Sequence, residues 1–155
     1  MAHPNAELIE RFYGAFTRLD GDAMAACYAP DVRFSDPAFG ELRGDEAGDM
    51  WRMLTARAQD LVVTLAEHEA DDTSGTAHWL ADYTFRTGRK VHNDVRATFR
   101  FAGGLILEHD DRFSFHAWSR QALGPVGLLL GWTPMLQSKV RSEARSGLEE
   151  FRARG

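Results

Sequence analysis

The chain has 155 residues, of which 44% are hydrophobic and 26% charged, a composition typical of a single globular domain with a substantial core. Its formal net charge of −5 argues against nucleic-acid binding, because phosphate contacts need a basic surface. The beginning of the chain does not resemble a signal peptide, and no apolar run is long enough to span a bilayer. We therefore expect a cytoplasmic protein that contacts neither nucleic acid nor membrane.

The first part of the chain is predicted to be mostly helical. Apolar residues at helical spacing predict helices over 5–19, from Asp22 to Pro30 and over 45–57, with Asn5 and Asp22 as N-caps. A short strand is predicted over 32–35, and Asp36-Pro37 then begins a loop.

The spacing of apolar residues changes after residue 60. Strict alternation of apolar and polar residues there predicts four strands, over 61–70, 75–87, 90–102 and 105–118. Tight turns at Gly88 and at Gly103-Gly104 make these strands an antiparallel meander. One face of the sheet is apolar and the other charged, so the helices must cover the apolar face. A last helix is predicted from Thr133-Pro134. The apolar segment before it is expected to cover a pocket mouth or contact a second subunit, and contact with a membrane surface or with a partner protein is the less favoured alternative.

The last strand places two titratable side chains on its apolar face. His109 and Asp111 share that face with Leu105, Leu107, Phe113 and Phe115. A buried acid beside a buried histidine is costly unless it is paired or used in chemistry. The pattern therefore predicts a sheet folded over a pocket with titratable groups.

This order of elements resembles the superfamily of nuclear transport factor 2 (NTF2), ketosteroid isomerases and SnoaL-like polyketide cyclases. The segments that carry the resemblance are Ile9 to Phe16, Asp20 to Val32, Phe34-Ser35-Asp36-Pro37, Leu42-Arg43-Gly44, Gly104-Leu105-Ile106 and His109 to Phe113. The resemblance implies an α+β fold, in which a cone-shaped, curved antiparallel sheet wraps around N-terminal helices (cystatin-like, NTF2-like). Residues 1–155 then form one domain, with a core over about 5–118 and a helical extension over about 119–155. It also implies a homodimer through the outer, charged face of the sheet.

The resemblance suggests some site residues and argues against others. Asp36 stands where ketosteroid isomerases have their general base, and Asp111 where SnoaL-like cyclases and limonene-epoxide hydrolases have a pocket acid. Phe12 and Ala97 replace the two oxyanion donors of the steroid isomerases, although Tyr13 or Tyr83 could donate from another direction. The hydrolase triad is also missing, because parity turns the neighbouring arginine and aspartate, Arg96 and Asp94, outward.

Together these observations favour a small cofactor-independent enzyme that performs acid/base chemistry on a hydrophobic carbonyl compound. In this hypothesis Asp111, tuned by His109, and Asp36 at the rim are the catalytic groups. The expected substrate-binding residues are Asn93 and Tyr83, which could polarise the carbonyl, and the pocket walls Trp79, Trp51, Phe12 and Phe113. No metal site is expected, because the six histidines lack ligand spacing.

The alternative is a non-catalytic ligand-binding or dimerisation module of the same fold. In that reading Asp36 caps a turn, and Asp111 is paired with a neighbouring basic side chain.

Overall fold

The computed structural model describes residues 3–154, which form an α+β fold as predicted. The helices are α1 (Pro4–Thr17), α2 (Gly21–Ala26), α3 (Asp45–Arg57), α4 (Phe115–Leu123), α5 (Pro125–Leu130) and α6 (Pro134–Arg154). The strands are β1 (Tyr28–Asp36), β2 (Gly40–Arg43), β3 (Val62–Ala70), β4 (Ser74–Thr84), β5 (Lys90–Ala102) and β6 (Leu105–Arg112). None of the helices in this part of the chain combines the length and apolar character needed to cross a bilayer.

The six strands form one sheet in the order β2-β1-β6-β5-β4-β3. Strands β3 to β6 are the predicted antiparallel meander, while β1 pairs in parallel with β6 and antiparallel with β2. The predicted strand over 32–35 is thus only part of β1, and β2 lies in what was predicted to be a loop. Gly40, at φ +73°, makes the turn into this short strand, whose four residues are too few for a clear alternation.

Two predicted helix starts are wrong by a few residues. His3, not Asn5, caps α1, because its ring accepts a hydrogen bond from the backbone N–H of Asn5 and Pro4 occupies the first turn. Asp20, not Asp22, caps α2 by accepting from the N–H of Ala23. Helix α2 also ends earlier than predicted, at Ala26 and not at Pro30, because residues 28–36 form β1.

The last predicted strand is too long at its C-terminal end. Strand β6 stops at Arg112, and the side chain of Ser114 caps α4 by accepting from the N–H of Ala117. Phe113 and Phe115 therefore do not continue the strand face. Phe115 instead packs with Trp118 and Val91 in a second apolar cluster, which Phe113 also contacts.

The main core lies between the inner face of the sheet and helices α1 and α3. Helix α6 lies across α3 and the loop between β1 and β2, where Gln137 and Arg141 both donate to the carbonyl of Pro37. Arg145, one turn further along, donates to the carbonyls of Phe39 and Glu41. The C-terminal extension is therefore attached to the loop that follows Asp36.

Candidate active site

The inner face of β6 carries the predicted histidine and aspartate, and both are buried. His109 lies opposite Phe34 of β1 and Phe99 of β5, and Asp111 lies opposite Ala97. Strand β1 runs parallel to β6 with Ser35 level with Asp110. The next residues along the two strands, Asp36 and Asp111, therefore lie at the same level on the inner face, on adjacent strands that are roughly 4.8 Å apart.

His109 is held by hydrogen bonds at both ring nitrogens. Its Nε2 lies 2.9 Å from Oδ1 of Asp111, and its Nδ1 lies 2.8 Å from the hydroxyl of Tyr28. The indole N–H of Trp51 donates to the same hydroxyl at 2.7 Å. With Asp111 ionised, one proton arrangement satisfies all three bonds: Trp51 donates to Tyr28, Tyr28 to Nδ1, and Nε2–H to Asp111.

Tyr28 was not among the residues predicted for the site. Burial is the main reason that the pKa of its hydroxyl is raised well above the usual value, so the group stays protonated and can donate to His109. The prediction placed residue 28 in a helix. Alternation counted back from Phe34 would not have found it either, because β1 has a register shift between Tyr28 and Arg33.

Asp111 keeps one carboxylate oxygen available. Its Oδ1 accepts from His109 and, at 3.4 Å, from the indole N–H of Trp79. Its Oδ2 accepts no hydrogen bond from the residues that the structure describes, and the side chain retains 3% exposure. The bonds to Oδ1 fix the direction of the group and leave Oδ2 for a ligand or a proton.

Asp36 caps a turn, and the pKa of its carboxyl is raised above the usual value. Its Oδ1 accepts from the backbone N–H groups of Ala38 and Phe39, at 2.9 and 2.6 Å, which is the turn-capping role considered from the sequence. Burial raises the pKa of this carboxyl from 3.8 to about 7, although the bond from Phe39 opposes the shift. The negative charge of Asp111 raises the pKa further, and the cation of Arg141 lowers it.

Two tyrosines were considered as hydrogen-bond donors. The hydroxyl of Tyr13 is buried and has no partner among residues 3–154, and its pKa is raised first by burial and then by the charge of Asp111. The hydroxyl of Tyr83 accepts from the indole of Trp118 at 2.8 Å, so its own proton is free to be donated.

The other predicted pocket residues are distributed between the core and its edge. Phe12, Trp51 and Trp79 are buried in the main core, whereas Phe113 and Asn93 are half-buried, with Asn93 opposite Ala81 at the far end of β5. On the outer face Asp94 and Arg96 are exposed, and Asp94 pairs with His78. The neighbouring-strand arginine and aspartate of an epoxide-hydrolase triad are thus on the wrong side of the sheet for this site.

Two cavities lie away from these groups. A groove of about 550 Å³ lies mainly on the outer side of the sheet, lined by residues that include Thr76, Arg100 and Glu108. A hollow of about 220 Å³ lies between the start of β1 and α3, where Tyr28 and Arg52 contribute to its wall. Neither of these two cavities is lined by Asp36, His109 or Asp111. His109 and Asp111 are buried, whereas Asp36 is half-buried.

The model of the SnoaL-like domain family matches residues 9–109, well over half of the chain. This chain therefore belongs to the SnoaL-like domain family, which agrees with the fold and with the resemblance seen in the sequence. No curated protein matches the sequence.

Solved structures share the fold at low sequence identity. An NTF2-like protein of unknown function from Burkholderia pseudomallei is 22% identical, with a TM-score of 0.68 over 77% of this chain and 97% of that one. A limonene-epoxide-hydrolase-like epoxide hydrolase from M. tuberculosis is 20% identical, with a TM-score of 0.66 over 82% and 96%. A putative SnoaL-like polyketide cyclase from Jannaschia is 15% identical, with a TM-score of 0.67 over 79% and 93%. Likeness at this level shows the fold and leaves the chemistry to be argued from the site.

Proposed function

We propose that the protein is a small cofactor-independent enzyme that performs acid/base chemistry on a hydrophobic carbonyl compound. The observation that supports this most strongly is the pair Asp36 and Asp111. The two carboxyls lie level on adjacent strands, each with one oxygen that no described residue engages. With a pKa of about 7, Asp36 is present near neutrality in both its acid and its base form.

The geometry suggests a division of roles. Asp111, oriented by His109, would take a proton from the carbon next to the carbonyl through Oδ2. Asp36 in its protonated form would donate to the carbonyl oxygen, so that an enol forms and no net charge is created in the apolar interior. Transfer of the proton from Asp111 to another carbon of the enol system, with return of the hydroxyl proton to Asp36, completes an isomerisation, whereas return to the same carbon gives only exchange of the α-proton. The unpartnered hydroxyl of Tyr13, or that of Tyr83, is a further donor for the same oxygen.

Proton abstraction can be measured without knowing the physiological substrate. β-Tetralone and larger fused-ring ketones serve as probes, and exchange of their α-protons in D₂O is followed by NMR. We expect Asp111→Asn to slow the exchange by at least ~100-fold, the usual contribution of a positioned base. Asp110→Asn is the matched control, because Asp110 is the next residue on β6 but lies on the outer face, paired with Arg33. Equal exchange rates in the wild type and Asp111→Asn would refute the proposal.

A second candidate, a non-catalytic ligand-binding or dimerisation module, is favoured by the packing of the interior. The rings of Phe12, Phe34 and Trp51 surround His109, whose two nitrogens are both bonded. A wild-type protein that binds the ketones but gives no exchange above buffer would support this candidate. A homodimer through the outer face of the sheet is compatible with both, since exposed charges of both signs, such as Asp94 and Arg100, can pair across a two-fold axis.

A further inference from the structure

The segment Val126 to Met135, called here the apolar tip, exposes an unusual amount of apolar surface. Leu129 is 68% exposed, Trp132 74% and Met135 82%, and about half of each of the side chains Val126, Leu128 and Leu130 is exposed. These residues lie close together along the chain, in α5, the turn that follows it and the first turn of α6, so one short segment carries most of this apolar surface. Contiguous exposed apolar patches usually mark a site of interaction.

The exposure is built into the packing of α5 against α4. Gly127 and Gly131, one helical turn apart, are the residues of the tip that face α4. A Cβ at Gly127 would lie 1.9 Å from the carbonyl oxygen of Ser119, and a Cβ at Gly131 would lie 2.1 Å from its hydroxyl oxygen. The two helices are thus too close for any side chain between them, and the leucines can only point outward.

Further bonds hold the tip in this orientation. The ring of His116 is hydrogen-bonded to the carbonyl of Leu128 at 3.2 Å, and the indole of Trp132 donates to the carbonyl of Leu129 at 3.0 Å. The tip is therefore a fixed convex projection, whereas a site for a partner helix or peptide is usually a groove.

The segment of the chain that carries the tip is basic, although the whole chain is acidic. No acidic residue occurs between Asp111 and Glu143. Arg89 packs against Gly124, Arg120 follows the Ser119 contact, and Lys139 lies one turn after Met135. All three cations are exposed, and none forms an ion pair with a residue of the described part of the chain. The tip is thus accompanied by three exposed cations that form no ion pair with any of residues 3–154.

We propose that the apolar tip docks the protein onto an anionic lipid surface. Leucine and tryptophan side chains would enter the boundary between headgroups and acyl chains, and the three cations would contact the anionic headgroups. A second copy of the chain fits less well, because a two-fold contact through the tip would bring the same cations of both copies together. The expectation of no membrane contact came from the absence of an apolar run long enough to span a bilayer, and that absence does not describe this local surface.

The binding test uses the intrinsic fluorescence of the full chain. Trp51, Trp79 and Trp118 are buried, so Trp132 dominates any response to lipid. We expect a blue shift and protection from acrylamide with vesicles that contain phosphatidylglycerol, a much weaker response with phosphatidylcholine alone, and a loss of binding at high salt. Arg120→Gln together with Lys139→Gln should weaken the binding roughly 20- to 30-fold, since each cation near the surface contributes ~1 kcal/mol.

Leu129→Asp should remove the binding, whereas Val62→Asp should leave it unchanged. Val62 is also an exposed apolar residue, but it lies on β3 in a different part of the fold. Both substitutions are at exposed positions, and thermal unfolding confirms that each variant is folded. Vesicle binding that survives Leu129→Asp, or that is equally lost in Val62→Asp, would overturn the proposal.

Self-association is the competing outcome and is measured by sedimentation velocity without lipid. If a dimer forms and Leu129→Asp dissociates it, a second copy covers the tip and the lipid proposal is wrong. A dimer through the outer face of the sheet would be unaffected by this substitution. Failure of the lipid test also leaves the proton-exchange test untouched, because the tip carries none of the groups proposed for catalysis.

Discussion

Replacing Asp36 with asparagine should make the protein more stable at high pH and change it little at low pH. The amide oxygen can still accept the N–H bonds of Ala38 and Phe39, so the turn is kept while the charge is removed. In the wild type the carboxyl has a pKa of about 7 in the folded state, against 3.8 for the unperturbed group. Between these values the folded state binds a proton that the unfolded state has lost, so stability falls as the pH rises through this window.

The size of the effect follows from the shift. A difference of about three pKa units corresponds to ~4 kcal/mol of unfolding free energy, lost between about pH 4 and pH 7. Asp36 is only half-buried, so solvent screens part of this effect. We therefore expect the free energy of unfolding of Asp36→Asn, relative to the wild type, to increase by roughly 2–4 kcal/mol from pH 4 to pH 8.

Urea denaturation at several pH values measures this difference, and the carboxyl resonance of Asp36 in NMR gives its pKa directly. Asp71→Asn is the control: Asp71 accepts from the N–H groups of Thr73 and Ser74 in a similar turn but is exposed, and these bonds lower its pKa. A lowered pKa stabilises the folded state above the unfolded value, so Asp71→Asn should bring no gain at pH 8. Arg141→Gln should raise the pKa of Asp36 further, because it removes a cation that lowers it. A difference between Asp36→Asn and the wild type that does not change with pH would refute the reasoning.

Two further substitutions test the packing around the site and the tip. Tyr28→Phe removes the hydroxyl that links Trp51 to His109 and leaves two buried polar groups without this partner. We expect the free energy of unfolding, measured by urea denaturation, to fall by ~2–4 kcal/mol, and a fall below ~0.5 kcal/mol would contradict the network. Gly127→Ala should force α5 away from α4 and increase hydrogen exchange in both helices. Gly147→Ala in α6 is the control, because a Cβ there meets only an ordinary contact at 3.5 Å, and it should be neutral or stabilising. Equal behaviour of the two variants would contradict the close contact between α4 and α5.

The sequence predicted the meander and the inward pair His109 and Asp111 because strict alternation over a long strand leaves a single choice of face. It predicted α3 within its observed bounds for the same kind of reason, a clean helical period. The start of β1 was missed because the residues around Tyr28 fit either a helix or a strand. The end of β6 was missed because the capping role of Ser114 was not recognised among the aromatic residues that follow Arg112.

Other features of the site depend on long-range contacts that no local pattern contains. The level of Asp36 relative to Asp111 is set by the parallel pairing of β1 with β6, although β1 ends at Asp36 and β6 begins only at Leu105. In each of the two carboxyls one oxygen is free because all the neighbouring donors among the described residues bond to the other oxygen. The pKa of Asp36 depends in addition on Arg141, which is more than a hundred residues away in the sequence.

Helix α6 holds the loop after Asp36, so the sequence of this helix affects the site. Gln137, Arg141 and Arg145 donate to main-chain carbonyls, which every amino acid provides. The family match ends at residue 109, before α6 begins. The acidity of a carboxyl inside the family match is thus adjusted by a helix outside it, so substitutions in α6 change the pKa of Asp36 while residues 9–109 stay the same.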